Sequence, residues 1–151
     1  MPVHHASERA LTAGPGPRGI RAPLAAGAAI GVAQAATPFA FWWLAPATVY
    51  ALGLVFIAAV YIGFSVADGR GKVITAEVAV AAVFVVVAAA AVTGSAWLLV
   101  IGFTGHGLKD FWQHRTQFVT GTRWWPPFCA AVDFVVAAIL AVALAVGADL
   151  S

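Results

Sequence analysis

VAVAAVFVVVAAAAV, residues Val78–Val92, has no polar side chain and no alternation of apolar with polar positions. Strands of an outer-membrane barrel alternate between a lipid face and a lumen face, so this run reads as helix. Extended back through Glu77 to Val73, it reaches the roughly 20 residues that a hydrocarbon core of about 30 Å requires of a spanning helix. The rest of the chain is of the same kind. Of 151 residues, 62% are hydrophobic and 9% charged, and mean hydropathy is +0.94. A soluble domain has roughly a quarter of its residues charged. The net charge of +2 is too small to point to nucleic acid, and the single cysteine, Cys129, excludes an internal disulfide. No nucleotide-binding loop, serine-hydrolase elbow or haem motif is present.

Working outward from that run predicts an all-α integral membrane bundle of five spans, at about 23–36, 44–67, 73–92, 96–113 and 126–146. The breaks between them fall at Asp68-Gly69-Arg70-Gly71-Lys72, at Thr93-Gly94-Ser95, and before Pro126, a residue favoured where a helix starts. The first segment is the weakest. Its Gly27 and Gly31 lie four apart on one helical face, a spacing that lets another helix approach closely. It also has the marks of a secretory signal, with Arg18 and Arg21 ahead of it and Ala33-Gln34-Ala35 at its end. If it is cleaved, four spans remain in the same orientation. Residues 1–19 combine His4, His5, Glu8 and Arg9 with three prolines and three glycines and show no apolar periodicity, so they are expected to form a disordered cytoplasmic tail. Adjacent histidines in such a tail have no preorganised geometry for a metal.

Arg9, Arg18 and Arg21 precede the first span, Arg70 and Lys72 follow the second, and Lys109, Arg115 and Arg123 end or follow the fourth. The tendency of Lys and Arg to stay in the cytoplasm then puts the chain in the cell (inner) membrane, N-terminus cytoplasmic and C-terminus outside. Tryptophans mark both borders: Trp42, Trp43 and Trp97 at the outer one, and Trp112, Trp124 and Trp125 at the inner one. The expected partner is the lipid bilayer, and the small-residue helix faces also suit pairing with a second copy of the chain.

The polar residues concentrate in GHGLKDFWQHR, Gly105–Arg115. At about 1.5 Å per residue, His106 lies near mid-membrane, Asp110 about 6 Å nearer the cytoplasm and His114 near the inner border. Glu77 and Asp133 enter the same leaflet, Tyr61 reaches a similar depth, and Asp68 closes the layer. Helical periodicity puts Gly102, His106, Asp110, Gln113 and His114 on one face, and Ile101, Leu108 and Trp112 on the other. Asp133 shares a face with Pro126, Ala130, Ala137 and Ala141, a small-residue stripe suited to a close neighbour.

Ionisable groups at such depth are costly and usually mark function. One reading is a metal site drawn from His106, Asp110, His114, Glu77 and Asp133, with a divalent ion as cofactor. His106 and His114 stand about 12 Å apart along the axis, so both reach one ion only if the helix breaks near Gly102, Gly105 or Gly107. In a metal-dependent hydrolase, the ion would activate a water and Glu77, Asp110 or Asp133 would be the catalytic candidates. A proton or ion relay through His106, Asp110, Glu77 and Asp133 is a second reading, though the outer half offers no continuous polar path. A third is structural: carboxylates paired with Lys109, Arg115 or histidine hold the helices in register. Lys109 and Arg115 are expected to snorkel toward the inner border, and Cys129 to act as a small apolar filler.

Tyr61-x-Gly63-Phe64 leading to Asp68-Gly69, then Gly105-His106-Gly107-Leu108-x-Asp110-x3-His114, then Trp125-Pro126-Pro127-Phe128-Cys129-x3-Asp133, resemble a family of small multi-pass bacterial membrane proteins of unassigned function. The resemblance runs from about Tyr50 to the fifth span and implies a recurring His/Asp site with no assigned activity. This chain has Lys109 where the family commonly has an aromatic residue. It is also faintly similar to alkaline-ceramidase-like membrane hydrolases, which hold zinc with intramembrane histidines. Here the histidines are eight apart, not four, and Ser65 and Ser95 have no evident place beside them, so those catalytic roles do not transfer.

Overall fold

The computed structural model describes residues 17–151, and every regular element among them is helical: α1 (Pro17–Ala35), α2 (Thr37–Ala40), α3 (Pro46–Asp68), α4 (Gly71–Thr93), α5 (Trp97–Thr116) and α6 (Trp125–Ala145). His4, His5, Glu8 and Arg9 lie outside the described residues. Residues 1–16 of the expected tail also lie outside them, and α1 already begins at Pro17, with Pro23 inside it. Three helices, α3, α4 and α6, are long and apolar enough to cross a membrane. α1 and α5 fall short of that measure: α1 is diluted by glycine and arginine, and α5 by the charged residues after His106.

Local chemistry sets the boundaries. Pro46 opens α3, and Gly69 ends it in the left-handed conformation (φ 80°), its N–H bonded to the Ser65 carbonyl; glycine takes that conformation without a Cβ penalty. Short connections then reverse the chain at each end. One end of the bundle, the basic end, gathers Asp68, Gly71, Thr116 and Trp125; the far end gathers Pro46, Thr93, Trp97 and Ala145. α1 runs parallel to α6, with Gly27 against Phe128 and Ala131 and Gly31 against Val132 and Val135. The main seams are α1 on α6, α5 on α6 and α3 on α4. At the far end Tyr50 Oη donates to the Ala35 carbonyl at 2.7 Å, and the Ala47 N–H to the Leu150 carbonyl at 2.9 Å.

Apart from the Tyr50 hydroxyl, the core of the far half is apolar: Leu54, Leu99, Phe103, Val136 and Leu140 are inaccessible or nearly so. The outer surface is apolar as well, with Phe56, Val86, Ile101, Leu108 and Val142 all exposed. Apolar exposure on that scale is normally covered by another apolar phase or a partner. The expected outward face of α5, Ile101, Leu108 and Trp112, is exposed, while Gly102, His106, Asp110 and Gln113 are buried.

α5 is one unbroken helix, so its glycines do not break it. Gly102 and Gly107 serve close packing instead. A Cβ on Gly107 would stand 3.3 Å from Asp133 Cβ and 3.1 Å from the Phe134 ring, so Gly107 lets α5 settle onto α6 at Asp133. A Cβ on Gly27 would meet the Phe128 carbonyl oxygen, whereas one on Gly63 would meet nothing within 4 Å. Gly27→Leu is therefore expected to lower stability by about 1–3 kcal/mol through overpacking, and Gly63→Ala to leave it unchanged or raise it by about 0.5–1 kcal/mol. Unfolding in SDS–detergent mixtures reads both, and equal stability of the two variants would refute the α1–α6 contact.

Candidate functional site

The site lies on the buried face of α5, between α3, α4 and α6. Helical spacing places His106 and Asp110 one turn apart on that face, and Gly107 brings Asp133 of α6 up to them. His106 Nδ1 is 2.8 Å from Asp133 Oδ2, a hydrogen bond between the two helices. The same nitrogen is 3.5 Å from Asp110 Oδ2, outside good hydrogen-bond geometry. His106, Asp110 and Asp133 are 1%, 0% and 0% exposed. One ligand atom from each lies within 4.8 Å of the others. Aromatic rings enclose the imidazole: Phe84 of α4 meets it edge-on at 4.9 Å between centroids, and Tyr61 of α3 stands at 6.0 Å.

Of the five proposed ligands, the structure therefore gathers three. Glu77, on α4, is bound elsewhere: its Oε2 accepts from Lys109 Nζ at 2.7 Å. The Lys109 ammonium sits 3.3 Å from the centre of the Tyr61 ring, a cation–π contact. Lys109 was expected to snorkel outward; it turns in, because a buried carboxylate on α4 offers its ammonium a better partner than the border. Arg115 keeps the expected exposed position, over the Phe111 ring. His114 stands two turns from His106 on the unbroken helix and is not part of the cluster. Cys129 is buried one turn before Asp133, also outside it.

Six buried side-chain polar atoms have no hydrogen-bond partner among the described residues: Tyr61 Oη, both oxygens of Asp110, Gln113 Oε1, His114 Nδ1 and Asp133 Oδ1. Five of the six belong to the cluster or to the strip of α5 that leads from it toward the basic end, and the sixth, Tyr61 Oη, belongs to the α3 side chain that walls the cluster. Native proteins leave few buried polar groups unpaired, so such a concentration calls for an explanation. An imidazole nitrogen and two carboxylates, with three of their four oxygens unpartnered, form a donor set that fits a divalent cation. Two ligands at about 2.1 Å from one ion stand up to about 4.2 Å apart, close to the separations here.

At the basic end Asp68 does not face this cluster. It accepts from Arg70 (2.8 Å), from the Thr120 N–H (2.8 Å) and from the Thr120 hydroxyl (2.7 Å), while Arg70 also donates to the Phe118 carbonyl at 2.6 Å. The bond to Asp68 raises the Arg70 guanidinium above its ordinary value. These bonds fold the connection after α5 across the end of the bundle. Sequence reasoning missed this segment, Gln117–Trp124; its only signal was a buried valine, Val119, between residues that read as loop.

The chain matches no protein-family model, no curated protein and no solved structure. The fold and site define its class by themselves: a helical protein with three helices suited to crossing a membrane and a buried His/Asp/Asp cluster.

The Lys109–Glu77 pair is almost wholly enclosed, with side chains 13% and 3% exposed. Removing one partner of such a pair leaves an uncompensated charge, at a typical cost of about 3–5 kcal/mol. Lys109→Met and Glu77→Leu are each expected to destabilise on that scale, and the double variant less than either alone. Additive losses in a double-mutant cycle would show the pair to be uncoupled.

Proposed function

We propose that the chain is a multi-pass integral membrane protein whose inner leaflet holds a binding site for one divalent first-row metal ion, formed by His106, Asp110 and Asp133. The unpartnered carboxylate oxygens facing the same imidazole carry this reading. Two ionised aspartates with a protonated histidine leave a net negative charge where solvation is poor. A divalent ion with a neutral imidazole leaves none, which the low dielectric favours. Imidazole with carboxylate suits zinc, iron or manganese. Three protein ligands leave a coordination position open to water or substrate, as catalytic metal sites do. As a hydrolase the site would not use Glu77 as a free base, since Lys109 holds it; the family resemblance, likewise, adds a recurring site and no activity.

Five spans, with the N-terminus cytoplasmic and the C-terminus outside, are part of the same proposal. α1 and α5 join the three apolar helices by packing along α6, and Arg21, Arg70, Lys72, Arg115 and Arg123 all fall at one end. Reporter fusions after Arg70, Gly94, Arg123 and Ser151 test this. Cytoplasmic activity is expected at the first and third and external activity at the other two, and any other pattern overturns the orientation.

A second reading has a specific observation behind it: the 2.8 Å His106–Asp133 bond is complete without an ion and could hold α5 to α6 through a shared proton. Elemental analysis of the purified protein separates the two. Stoichiometric metal is expected in the wild type, with loss in Asp110→Ala and Asp133→Ala. A metal-free, folded wild type would leave the proton-linked structural bond as the function of the cluster.

A further inference from the structure

The unpartnered atoms form a graded line as well as a cluster. Beginning at Asp133, the partner of His106, they continue along α5 from Asp110 to Gln113 and His114, toward the basic end. In the opposite direction the same face of α5 meets Phe103 and Leu99, closed in by Leu54, Val136 and Leu140, all 0–1% exposed. A cation, or the water that carries it, thus has polar partners on one side of the cluster and none on the other.

The basic end of this line is covered by the α5–α6 connection. Val119, fully buried, inserts against Tyr61 and Val73 with Phe64 and Phe118 around it. Its carbonyl accepts from Thr122 at 2.9 Å and, more weakly, from Gln113 Nε2 at 3.4 Å. Tyr61 is also a wall of the cluster, so one side chain touches both the plug and the site. The connection leaves α5 at Gln117 (φ 51°) and turns at Gly121 (φ 75°), both in the left-handed region. Between those two turns, Thr120 is bonded to Asp68 and Phe118 to Arg70, from the connection between α3 and α4.

We propose that residues 117–124 form a lid over the basic-end mouth of the polar line, with Val119 as its plug and the Asp68 carboxylate as its latch. A divalent cation reaches His106, Asp110 and Asp133 from that end alone, past His114 and Gln113. The cation part rests on the metal reading above; the lid does not.

Cys129 is a built-in reporter, being the chain's single cysteine, buried, and one turn nearer the basic end than Asp133. The test measures the rate at which a small maleimide labels Cys129 in the full-length protein in lipid nanodiscs. Asp68→Asn and Val119→Ala are each expected to speed labelling by about tenfold or more, as loss of charge-assisted bonds or of the plug should shift a local opening equilibrium. Leu140→Ala, which loosens the far half, should label at the wild-type rate. Unchanged labelling in both lid variants overturns the lid, and so does an equal rise in Leu140→Ala, which would mean general loosening. Zinc uptake by the same preparations addresses the cation separately. Faster loading to the same final occupancy in Asp68→Asn is expected, and a wild type that takes up no zinc removes the cation reading while the labelling result still decides the lid.

Discussion

A buried carboxylate is cut off from bulk water, so it must take its partner from the protein, a bound water, a proton or a cation. That constraint shapes the seam between α5 and α6. Gly107 removes the one side chain that would hold the helices apart at Asp133, and the resulting approach puts the Asp133 carboxylate 2.8 Å from His106. Asp110 follows because it lies one turn along α5 from the same histidine. The rest of the half toward the basic end is arranged around that contact: Phe84 and Tyr61 wall it, and the apolar far half shuts it on one side.

Two charge systems stand side by side without merging. Lys109 and Glu77 neutralise each other across α4 and α5, with the Tyr61 ring supporting the ammonium. This leaves the neighbouring cluster acidic, with two aspartates against one histidine. In a low dielectric the separation matters, since an ammonium free to swing onto Asp110 would occupy the position that a metal ion would take. Glu77, one of the ligands expected from sequence, is instead the partner of Lys109.

The third system, Asp68 at the end of α3 with Arg70 and Thr120 from two connections, is at the basic end. It joins the α3–α4 turn to the α5–α6 connection, elements more than forty residues apart, and through Val119 it reaches the Tyr61 that lines the cluster. Helix packing, charge pairing and loop docking are in this way stacked from mid-bundle to the basic end.

Periodicity and composition were enough to give the helices to within a few residues for the last four segments, the apolar face of α5, and the inward direction of His106, Asp110 and Asp133. These follow from the chain alone because rise and turn per residue are properties of a single helix. Which acid meets which base was decided only in the folded bundle. Lys109 has a flexible stem that reaches outward or inward, and Glu77 on another helix settles which. Gly102, Gly105 and Gly107 read from the sequence as a place where α5 could break, and only the bundle shows the helix unbroken, with Leu54 against Gly102 and Asp133 against Gly107. The burial of Val119 depends on Asp68 and Arg70, far away in the chain. Depth and direction are local quantities, but the distance and rotation between two helices are set by every contact along their seam, and the chemistry of this site depends on those.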